Sequence, residues 1–164
     1  MNDGALIALA LGANIGDRQA ALRAAVDGLR AFVSISALSP VYETAAAYVT
    51  DQPAFLNAAL RGQTKLAAED LLKEIKNLES RIGRRPTFRY GPRVIDIDIL
   101  FYDDLVMQTP DLILPHPRMA ERGFVLRPLA DIAPDWRHPQ SGQDTLSMLA
   151  KIKTQDIQPA GSLS

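Results

Sequence analysis

The chain has 164 residues, contains no cysteine and carries a formal net charge of −1 at neutral pH. This length corresponds to one ordinary domain, and the lack of cysteine excludes disulfide bonds, thiolate metal sites and a cysteine nucleophile. The charge predicts no general attraction to nucleic acid or to an anionic membrane.

The first apolar run, residues 5–11 (ALIALAL), predicts a central β-strand covered on both faces, although its pattern alone does not exclude a short helix. It is too short to span a bilayer and no basic segment precedes it, so we expect a cytoplasmic protein. In residues 12–18 (GANIGDR) the glycines allow a turn, and Asp17 can cap a helix. A helix is then predicted by apolar residues at helical spacing, namely Leu22, Val26, Leu29 and Val33.

Two neighbouring strands are predicted next. Residues 33–38 alternate between apolar and polar side chains, Pro40 interrupts the pattern as at a sheet edge or a bulge, and residues 41–44 continue it. Residues 45–54 have the composition of a loop. In residues 55–64 the alternation places Leu56, Ala58 and Leu60 on one face and Phe55, Asn57 and Arg61 on the other.

A second helix is predicted by Leu71, Ile75, Leu78 and Ile82, with Gly83 as its C-terminal cap. A strand over 94–101 completes the order β-α-β-β-α-β, which predicts an α+β, ferredoxin-like fold with a largely antiparallel sheet. We expect helices on one face, the other face free for a site, and a C-terminal extension. Residues 1–152 are expected to form a single domain and 153–164 a loose tail.

The strand over 94–101 contains two acids, Asp96 and Asp98. Alternation predicts that they share the open face, whereas Ile95, Ile97, Ile99 and Phe101 share the helix-packed face. With Cα atoms about 6.5 Å apart, the two charges repel by about 3 kcal/mol at an effective dielectric constant of about 20. A divalent cation, arginines or a shared proton can offset this repulsion, and two exposed strand acids are the plainer alternative. Oxygen ligands without cysteine or histidine suit Mg²⁺.

Residues 81–93 (RIGRRPTFRYGPR) contain five arginines and no acid. Beside a carboxylate pair, such a segment is typical of a metal–polyphosphate site, because guanidinium groups bind phosphate oxygens. The alternative is a basic loop that holds RNA or an acidic partner, but aromatic residues make up only 6% of the chain and no RNA-binding aromatic motif is present. The two common glycine-rich phosphate motifs are also missing. We expect residues 84–90 to be mobile without nucleotide.

The segment RYGPRVIDIDIL (89–100) resembles the signature of the 6-hydroxymethyl-7,8-dihydropterin pyrophosphokinase family of folate biosynthesis. Three further segments extend the resemblance to nearly the whole chain: LGANIGDR (11–18), VYETAAAYVTDQPAFLNAA (41–59) and LPHPRMAERGFVLRPLADIAP (114–134). The resemblance implies transfer of the β,γ-diphosphate of ATP to the hydroxymethyl oxygen of the pterin, with release of AMP and with two Mg²⁺ ions.

The resemblance also implies roles for individual residues. The Mg²⁺ ligands are Asp96 and Asp98. The catalytic set is Arg84, Arg85, Arg93, Asp96 and Asp98. The ATP contacts are Glu79, Arg84, Arg85, Arg93, Ile99, His116 and Arg122. The pterin contacts are Thr44, Ala45, Ala46, Phe55, Asn57, Asp96 and Phe124. The arginine loop is about one residue shorter than the better-known pattern, which leaves the division of roles between Arg84 and Arg85 open.

No side chain presents itself as a general base, so we expect direct in-line transfer supported by positioning and charge stabilisation. The expected partners are the two small-molecule substrates, without nucleic acid or membrane, and the expected state is a monomer. Two alternatives stay open: another Mg²⁺-dependent phosphotransferase with a different acceptor, and a ferredoxin-like module that binds RNA or another polyanion.

Overall fold

The computed structural model describes residues 4–44, 54–83 and 94–163. The strands in these segments are β1 (Ala5–Ala13), β2 (Ser34–Leu38), β3 (Tyr42–Thr44), β4 (Phe55–Thr64), β5 (Asp96–Tyr102), β6 (Met107–Gln108), β7 (Ile113–Leu114) and β8 (Gln158–Pro159). The helices are α1 (Arg18–Leu29), α2 (Ala68–Ile82), α3 (Gly123–Ile132) and α4 (Thr145–Leu149). None of these helices is long and apolar enough to cross a membrane.

The main sheet has the order β5-β1-β4-β3-β8, with β2 also paired to β4, and its pairs are antiparallel. Because β2 and β3 both lie along β4, they form one edge strand that is interrupted at Ser39 and Pro40. The Ser39 hydroxyl accepts a hydrogen bond from the Ala59 N–H at 2.8 Å, which satisfies the ladder at the interruption. The ferredoxin-like order and the break at Pro40 are confirmed.

The helix-packed face of the sheet holds the larger core. Strand β1 alternates large and small residues, and its large ones (Ile7, Leu9 and Leu11) pack against α1 and α2. The Asp17 carboxylate accepts a hydrogen bond from the Ala20 N–H at 3.0 Å and so caps α1 as predicted. Gly83 ends α2 with φ +114°, a left-handed conformation that glycine adopts without strain.

The second face of the sheet is covered in part by the C-terminal helices. Two small residues, Ala8 on β1 and Ala59 on β4, lie in a separate core cluster with Leu126 and Leu129 of α3 and Met148 of α4. Small side chains let a helix approach the sheet closely, so α3 packs here. The expectation of an entirely free second face is therefore wrong in this region.

Phe101 lies on the face opposite to the predicted one. Leu9 pairs with Ile99 and Ala8 pairs with Phe101, so Leu100 is an extra residue in β5. This bulge shifts the alternation, and Phe101 joins the second core, where its ring stacks on Trp136 with centroids 5.1 Å apart. Strict alternation holds only in a strand without a bulge, which is why the prediction for Phe101 is wrong.

The C-terminal segment is tied to the edge of the sheet. Strand β8 pairs with β3, the Ala160 N–H donates to the Val41 carbonyl at 2.7 Å, and the Val41 N–H donates to the Gly161 carbonyl at 2.8 Å. Leu163 packs against the larger core. This placement differs from the loose tail expected from sequence, because the segment pairs with the side of β3 that does not face β4.

The bulge predicts which residue is energetically coupled to Phe101 in unfolding experiments. In a double-mutant cycle, Phe101→Leu and Trp136→Leu should couple by about 0.5–1.5 kcal/mol, since the ring stack is lost only once. Urea unfolding of the four proteins measures this coupling. The control cycle pairs Phe101→Leu with Ile75→Val, in the other core, and should be additive. Coupling to Ile75 instead of Trp136 would place Phe101 on the α1–α2 face.

Candidate active site

Three neighbouring strands bring the candidate residues side by side. Gly12 on β1 pairs with Asp96 on β5 and with Asn57 on β4. Paired residues of adjacent strands point to the same face, so Asp96, Gly12 and Asn57 form one row, which we call the site row. Two strand spacings separate its ends by about 10 Å. Asp98 lies in the next row, beside Ala10, so the prediction that both acids share one face is confirmed.

Gly12 leaves the middle of the site row open. A Cβ atom at this position would lie 3.3 Å from the Asn57 Oδ1 and 3.6 Å from the Phe55 ring. A side chain here would therefore press on Asn57 and fill the space between it and Asp96. The absence of a side chain gives a flat floor of backbone between an amide and a carboxylate, a shape that suits a planar polar ligand.

The amide end of the site row is held by a buried hydrogen bond. The Asn57 Nδ2 donates to the Thr44 Oγ1 at 2.9 Å, and both residues are only 5% exposed. Thr44 pairs with Phe55, which places the phenylalanine on the same face as Asn57. The structure therefore brings together Thr44, Phe55 and Asn57, three of the residues that the resemblance assigns to the pterin, and their contact with a pterin stays a prediction. A buried amide next to an aromatic ring can recognise the polar edge of a flat ring system.

The carboxylate end of the site contains an acid whose ionisation is disfavoured. The pKa of Asp98 is raised to about 7, first by burial and then by the neighbouring charge of Asp96, with a smaller contribution from Glu79. The charges of Lys76 and Arg122 act in the opposite direction. The Asp98 side chain is still 36% exposed, so the carboxyl group is accessible to a ligand even though the surrounding protein disfavours its charge.

His116 faces the acid pair as a neutral ring. Burial, and next the charge of Arg122, lower the pKa of His116 to about 4. Its Nδ1 accepts a hydrogen bond from the Arg118 N–H at 3.3 Å, so the proton of the neutral ring lies on Nε2. Nε2 is 4.0 Å from the Asp98 Oδ2, which is too long for a direct hydrogen bond. A neutral N–H donor therefore points into the site beside the carboxylate.

Glu79 connects α2 to the strand that carries the acids. The side chain is buried, and its Oε2 accepts a hydrogen bond from the Ile97 N–H at 2.8 Å. Its Oε1 lies 3.3 Å from the Nζ of Lys76. Because Ile97 stands between Asp96 and Asp98, Glu79 fixes the backbone from which both acids project. The nucleotide contact expected for Glu79 stays a prediction, and the contacts described here favour a positioning role.

The remaining described candidates divide between the site and the core. Arg122 precedes α3 and places its Cζ 5.7 Å from the ring centroid of Phe124, within cation–π range. Its charge acts on both Asp98 and His116, so it lies close to the acid pair. The side chain of Ile99 is buried in the α1–α2 core, so a nucleotide contact at this position has to come from the strand backbone.

Five predicted site residues lie outside the described segments, and the expected mobility of residues 84–90 falls there too. They are Ala45, Ala46, Arg84, Arg85 and Arg93.

Comparison with known proteins identifies the family. The sequence profile of the 7,8-dihydro-6-hydroxymethylpterin-pyrophosphokinase (HPPK) family matches residues 8–134. The chain belongs to the HPPK family. It is 42% identical to the 2-amino-4-hydroxy-6-hydroxymethyldihydropteridine pyrophosphokinase of Aquifex aeolicus over 135 residues, which cover 82% of this chain and 84% of that protein. The family predicted from sequence is confirmed.

Several eukaryotic relatives are much longer than this chain. The mitochondrial folate synthesis bifunctional protein of Arabidopsis thaliana is 47% identical over 127 residues, which are 77% of this chain but only 23% of the relative. The match to the folic acid synthesis protein of Dictyostelium discoideum covers 82% of this chain and 20% of that protein. The HPPK part is therefore one unit of these larger proteins.

Solved structures support the fold. The crystal structure of wild-type Plasmodium falciparum HPPK-DHPS superposes with a TM-score of 0.75 at 16% sequence identity, covering 92% of this chain and 45% of that chain. At this identity the likeness concerns architecture alone. It confirms the α+β fold class with its largely antiparallel sheet.

The acid pair of this HPPK chain fits Mg²⁺. In the described segments, no three acids or histidines come together as a metal site built only from protein ligands would require. Mg²⁺ usually takes one or two carboxylates and completes its shell with water and phosphate oxygens. Among the described residues, the charges of Lys76 and Arg122 do not outweigh the burial and the neighbouring charge of Asp96 that raise the pKa of Asp98. A divalent cation shared by Asp96 and Asp98 would favour the ionised form of both acids.

Two residues of the site escaped the sequence analysis. The sequence indicates Gly12 only as part of a turn. The role of a glycine in leaving space for a ligand depends on which residues lie beside it in the sheet, and these are not known from the sequence. Lys76 received no role from the sequence, yet its ammonium group lies beside Glu79 and acts on Asp98. Its helical spacing from Glu79 was visible in the sequence, but its distance from β5 was not.

The raised pKa of Asp98 predicts a pH-dependent gain of stability on its removal. In the folded protein without ligands, the charge of Asp98 is unfavourable above pH 7 and is absent below the ordinary pKa of 3.8. Asp98→Asn should therefore raise the melting temperature by a few degrees at pH 8, and this gain should disappear as the pH falls towards 4. Thermal unfolding in EDTA measures it.

The control is Asp104→Asn, at an exposed position just after β5. It should change the melting temperature little at either pH. A gain for Asp98→Asn that is equal at pH 8 and pH 4 would contradict the strained ionisation of this carboxyl group.

Proposed function

We propose that this chain transfers the β,γ-diphosphate of ATP to the hydroxymethyl oxygen of 6-hydroxymethyl-7,8-dihydropterin and releases AMP. The observation that carries the proposal is the site row. At one end of this row a buried amide can bind a flat heterocycle, and at the other end a carboxylate pair can bind a metal that carries a phosphate chain. The two ends are two strand spacings, or about 10 Å, apart. The hydroxymethyl group of a pterin seated on Gly12 would then face Asp96 and Asp98.

On the acceptor side, the protein selects and orients the ring. The Thr44–Asn57 hydrogen bond holds the amide in place before a ligand arrives, so little ordering remains at binding. Phe55 and Phe124 offer aromatic faces from β4 and α3. Ala45 and Ala46 are proposed as further contacts by family resemblance. The buried polar groups of Asn57 and Thr44 give selectivity, since an analogue without matching donors and acceptors would leave hydrogen-bonding groups of the site unpaired.

On the phosphate side, the protein provides charge. We propose two Mg²⁺ ions at Asp96 and Asp98, which when bound neutralise the phosphate chain and polarise the β-phosphorus. The neutral His116 Nε2–H can donate to a phosphate oxygen without a competing proton equilibrium near pH 7, because its pKa is about 4. Arg122 adds a fixed positive charge, and Arg84, Arg85 and Arg93 are proposed to do the same.

The reaction itself is a single displacement in this proposal. The hydroxymethyl oxygen forms a bond to the β-phosphorus, the bond between that phosphorus and the α,β-bridging oxygen breaks, AMP departs and the hydroxyl proton passes to solvent. No covalent enzyme intermediate is required. The acceleration then comes from alignment of the two substrates and from the stabilisation of charge on the transferred group.

A cleft along α2 is the site that we propose for the nucleoside. It has a volume of about 620 Å³ and lies between α2 and the segment that joins β6 to β7. Its lining mixes apolar side chains (Leu72 and Leu112) with polar ones that include Lys76 and Thr109. Lys76 also contacts Glu79, which accepts a hydrogen bond from the Ile97 N–H of β5, so the lining of the cleft is linked to the strand that carries the acids. We propose that the phosphates of an adenosine bound here extend towards Asp98.

Location and assembly remain predictions. A cytoplasmic monomer is what the sequence predicts, and some relatives are named as mitochondrial proteins.

Product analysis tests the proposed function. Protein incubated with ATP, Mg²⁺ and hydroxymethyldihydropterin should form AMP and the pterin diphosphate in equal amounts, separated by anion-exchange chromatography. Formation of ADP, or turnover only with another acceptor, would favour a different phosphotransferase. Salt-sensitive binding of RNA without turnover would favour a polyanion-binding module.

Asp98→Ala tests the assignment of the acids. The variant should lower kcat by about a hundredfold or more, because charge stabilisation of the transferred group is lost, and it should stay folded. Isothermal titration in Mg²⁺ with a non-hydrolysable ATP analogue should show the corresponding loss of affinity, whereas Asp104→Ala should behave like the parent. Normal turnover by Asp98→Ala would refute the metal assignment.

Gly12→Ala tests the open floor of the site row. The added methyl group would lie 3.3 Å from the Asn57 Oδ1 and should raise the KM for the pterin by about tenfold, or about 1.4 kcal/mol. The KM for ATP should change less than about twofold, since the change is confined to the acceptor end. The exposed Ala24→Ser on α1 is the control. Equal effects on both substrates would contradict this placement of the pterin.

A further inference from the structure

Arg18 holds together three chain segments at the edge of the acceptor site. It is the first residue of α1, and its Nη1 donates to the Glu43 Oε2 at 2.7 Å and to the Ala54 carbonyl at 2.8 Å. Glu43 lies in β3, and Ala54 immediately precedes β4. One guanidinium nitrogen thus joins the start of α1 to the end of one strand and the start of the next. None of the roles assigned above uses this residue.

The two residues that accept hydrogen bonds from Arg18 are adjacent in sequence to the residues proposed to bind the pterin ring. Glu43 precedes Thr44, and Ala54 precedes Phe55, which pairs with Thr44. The hydrogen bond from Asn57 to Thr44 is 2.9 Å long, so a small displacement of β3 against β4 would break it. Arg18 opposes such a displacement beside the Thr44–Phe55 pair, because it bonds the residue before Thr44 and the residue before Phe55.

The Arg18 contacts contribute little to global stability. The side chains of Arg18 and Glu43 are 30% and 42% exposed, and exposed ion pairs contribute about 0–1 kcal/mol. Strands β3 and β4 also pair without Arg18, through the register of Tyr42 to Thr44 against Phe55 to Asn57. A residue of this kind can tune the geometry of a site without deciding whether the protein folds.

We propose that Arg18 is a positioning residue for the acceptor: by binding Glu43 and Ala54 together, it keeps Thr44, Phe55 and Asn57 in the arrangement that recognises the flat ring. This inference rests on the proposed function for the identity of the ring. It explains the arginine of the LGANIGDR segment, which otherwise has no assigned role. It predicts an effect on the acceptor substrate and none on the nucleotide, whose proposed site lies on the far side of β5.

Steady-state kinetics test this role. Arg18→Ala should raise the KM for the pterin by about five- to tenfold, with kcat and the KM for ATP within about twofold of the parent and the melting temperature within about 4 °C. Arg18→Lys, which keeps a cation with three donors, should recover part of the loss. The control is Arg23→Ala, at an exposed position of the same helix, and it should change neither KM.

A double-mutant cycle separates positioning from general damage. Glu43→Ala should raise the KM for the pterin as well, and the double variant should be no worse than Arg18→Ala alone, because both remove the same contact. Additive effects, or equal losses for both substrates, would overturn the inference. The cycle also shows whether Arg18 acts through Glu43 rather than by touching the ligand.

A readout without turnover distinguishes this inference from the proposed function. Amide hydrogen exchange at Thr44 and Phe55 should be faster in Arg18→Ala than in the parent or in Arg23→Ala, whatever the substrate proves to be. If the parent protein releases no AMP, the proposed function fails, but faster exchange still supports the positioning role of Arg18. If exchange is unchanged in Arg18→Ala, that role is refuted even when the parent is active.

Discussion

The register between β5, β1 and β4 is the constraint on which the site depends. It places Asp96, Gly12 and Asn57 side by side, although they come from distant parts of the sequence. A shift of one residue in either pairing would move an acid or the amide to the helix-packed face. The apolar residues that alternate with them resist such a shift, since Ile97 on β5, or Leu56 and Leu60 on β4, would then leave the core that they share with β1. Core packing and the geometry of the site are therefore secured by the same side chains.

The second consequence of this arrangement is electrostatic. Two carboxylates on one face of a strand disfavour each other's charge, and the pKa of Asp98, raised to about 7, reflects burial together with that repulsion. In the described segments, the backbone between the acids is held by a buried hydrogen bond that the Ile97 N–H donates to Glu79. His116 is kept neutral beside them. The raised pKa of Asp98 means that its charge lowers the stability of the folded protein without ligands, a trade-off that is common where a site serves function.

Much of the fold could be predicted because local signals agreed with one another. The apolar spacing of α1 and α2, the cap at Asp17 and the left-handed Gly83 all lie where the sequence indicates. Predictions that rested on strict alternation or on low periodicity were less reliable. The bulge at Leu100 moved Phe101 to the second core, and the last residues joined the sheet edge at β3. Neither event has a local sequence signal, because each depends on partners that are remote in the chain.

The sequence by itself determined the family, the order of the core elements and the shared face of Asp96 and Asp98, since these follow from a long motif and from the period of a strand. Only the tertiary structure decided that Gly12 is the floor between the acids and Asn57, that Glu79 holds the strand between them, and that Arg18 joins β3 to β4. The physical reason is the range of the interactions. Periodicity and capping act over a few residues, whereas these contacts join segments that meet only when the sheet has closed.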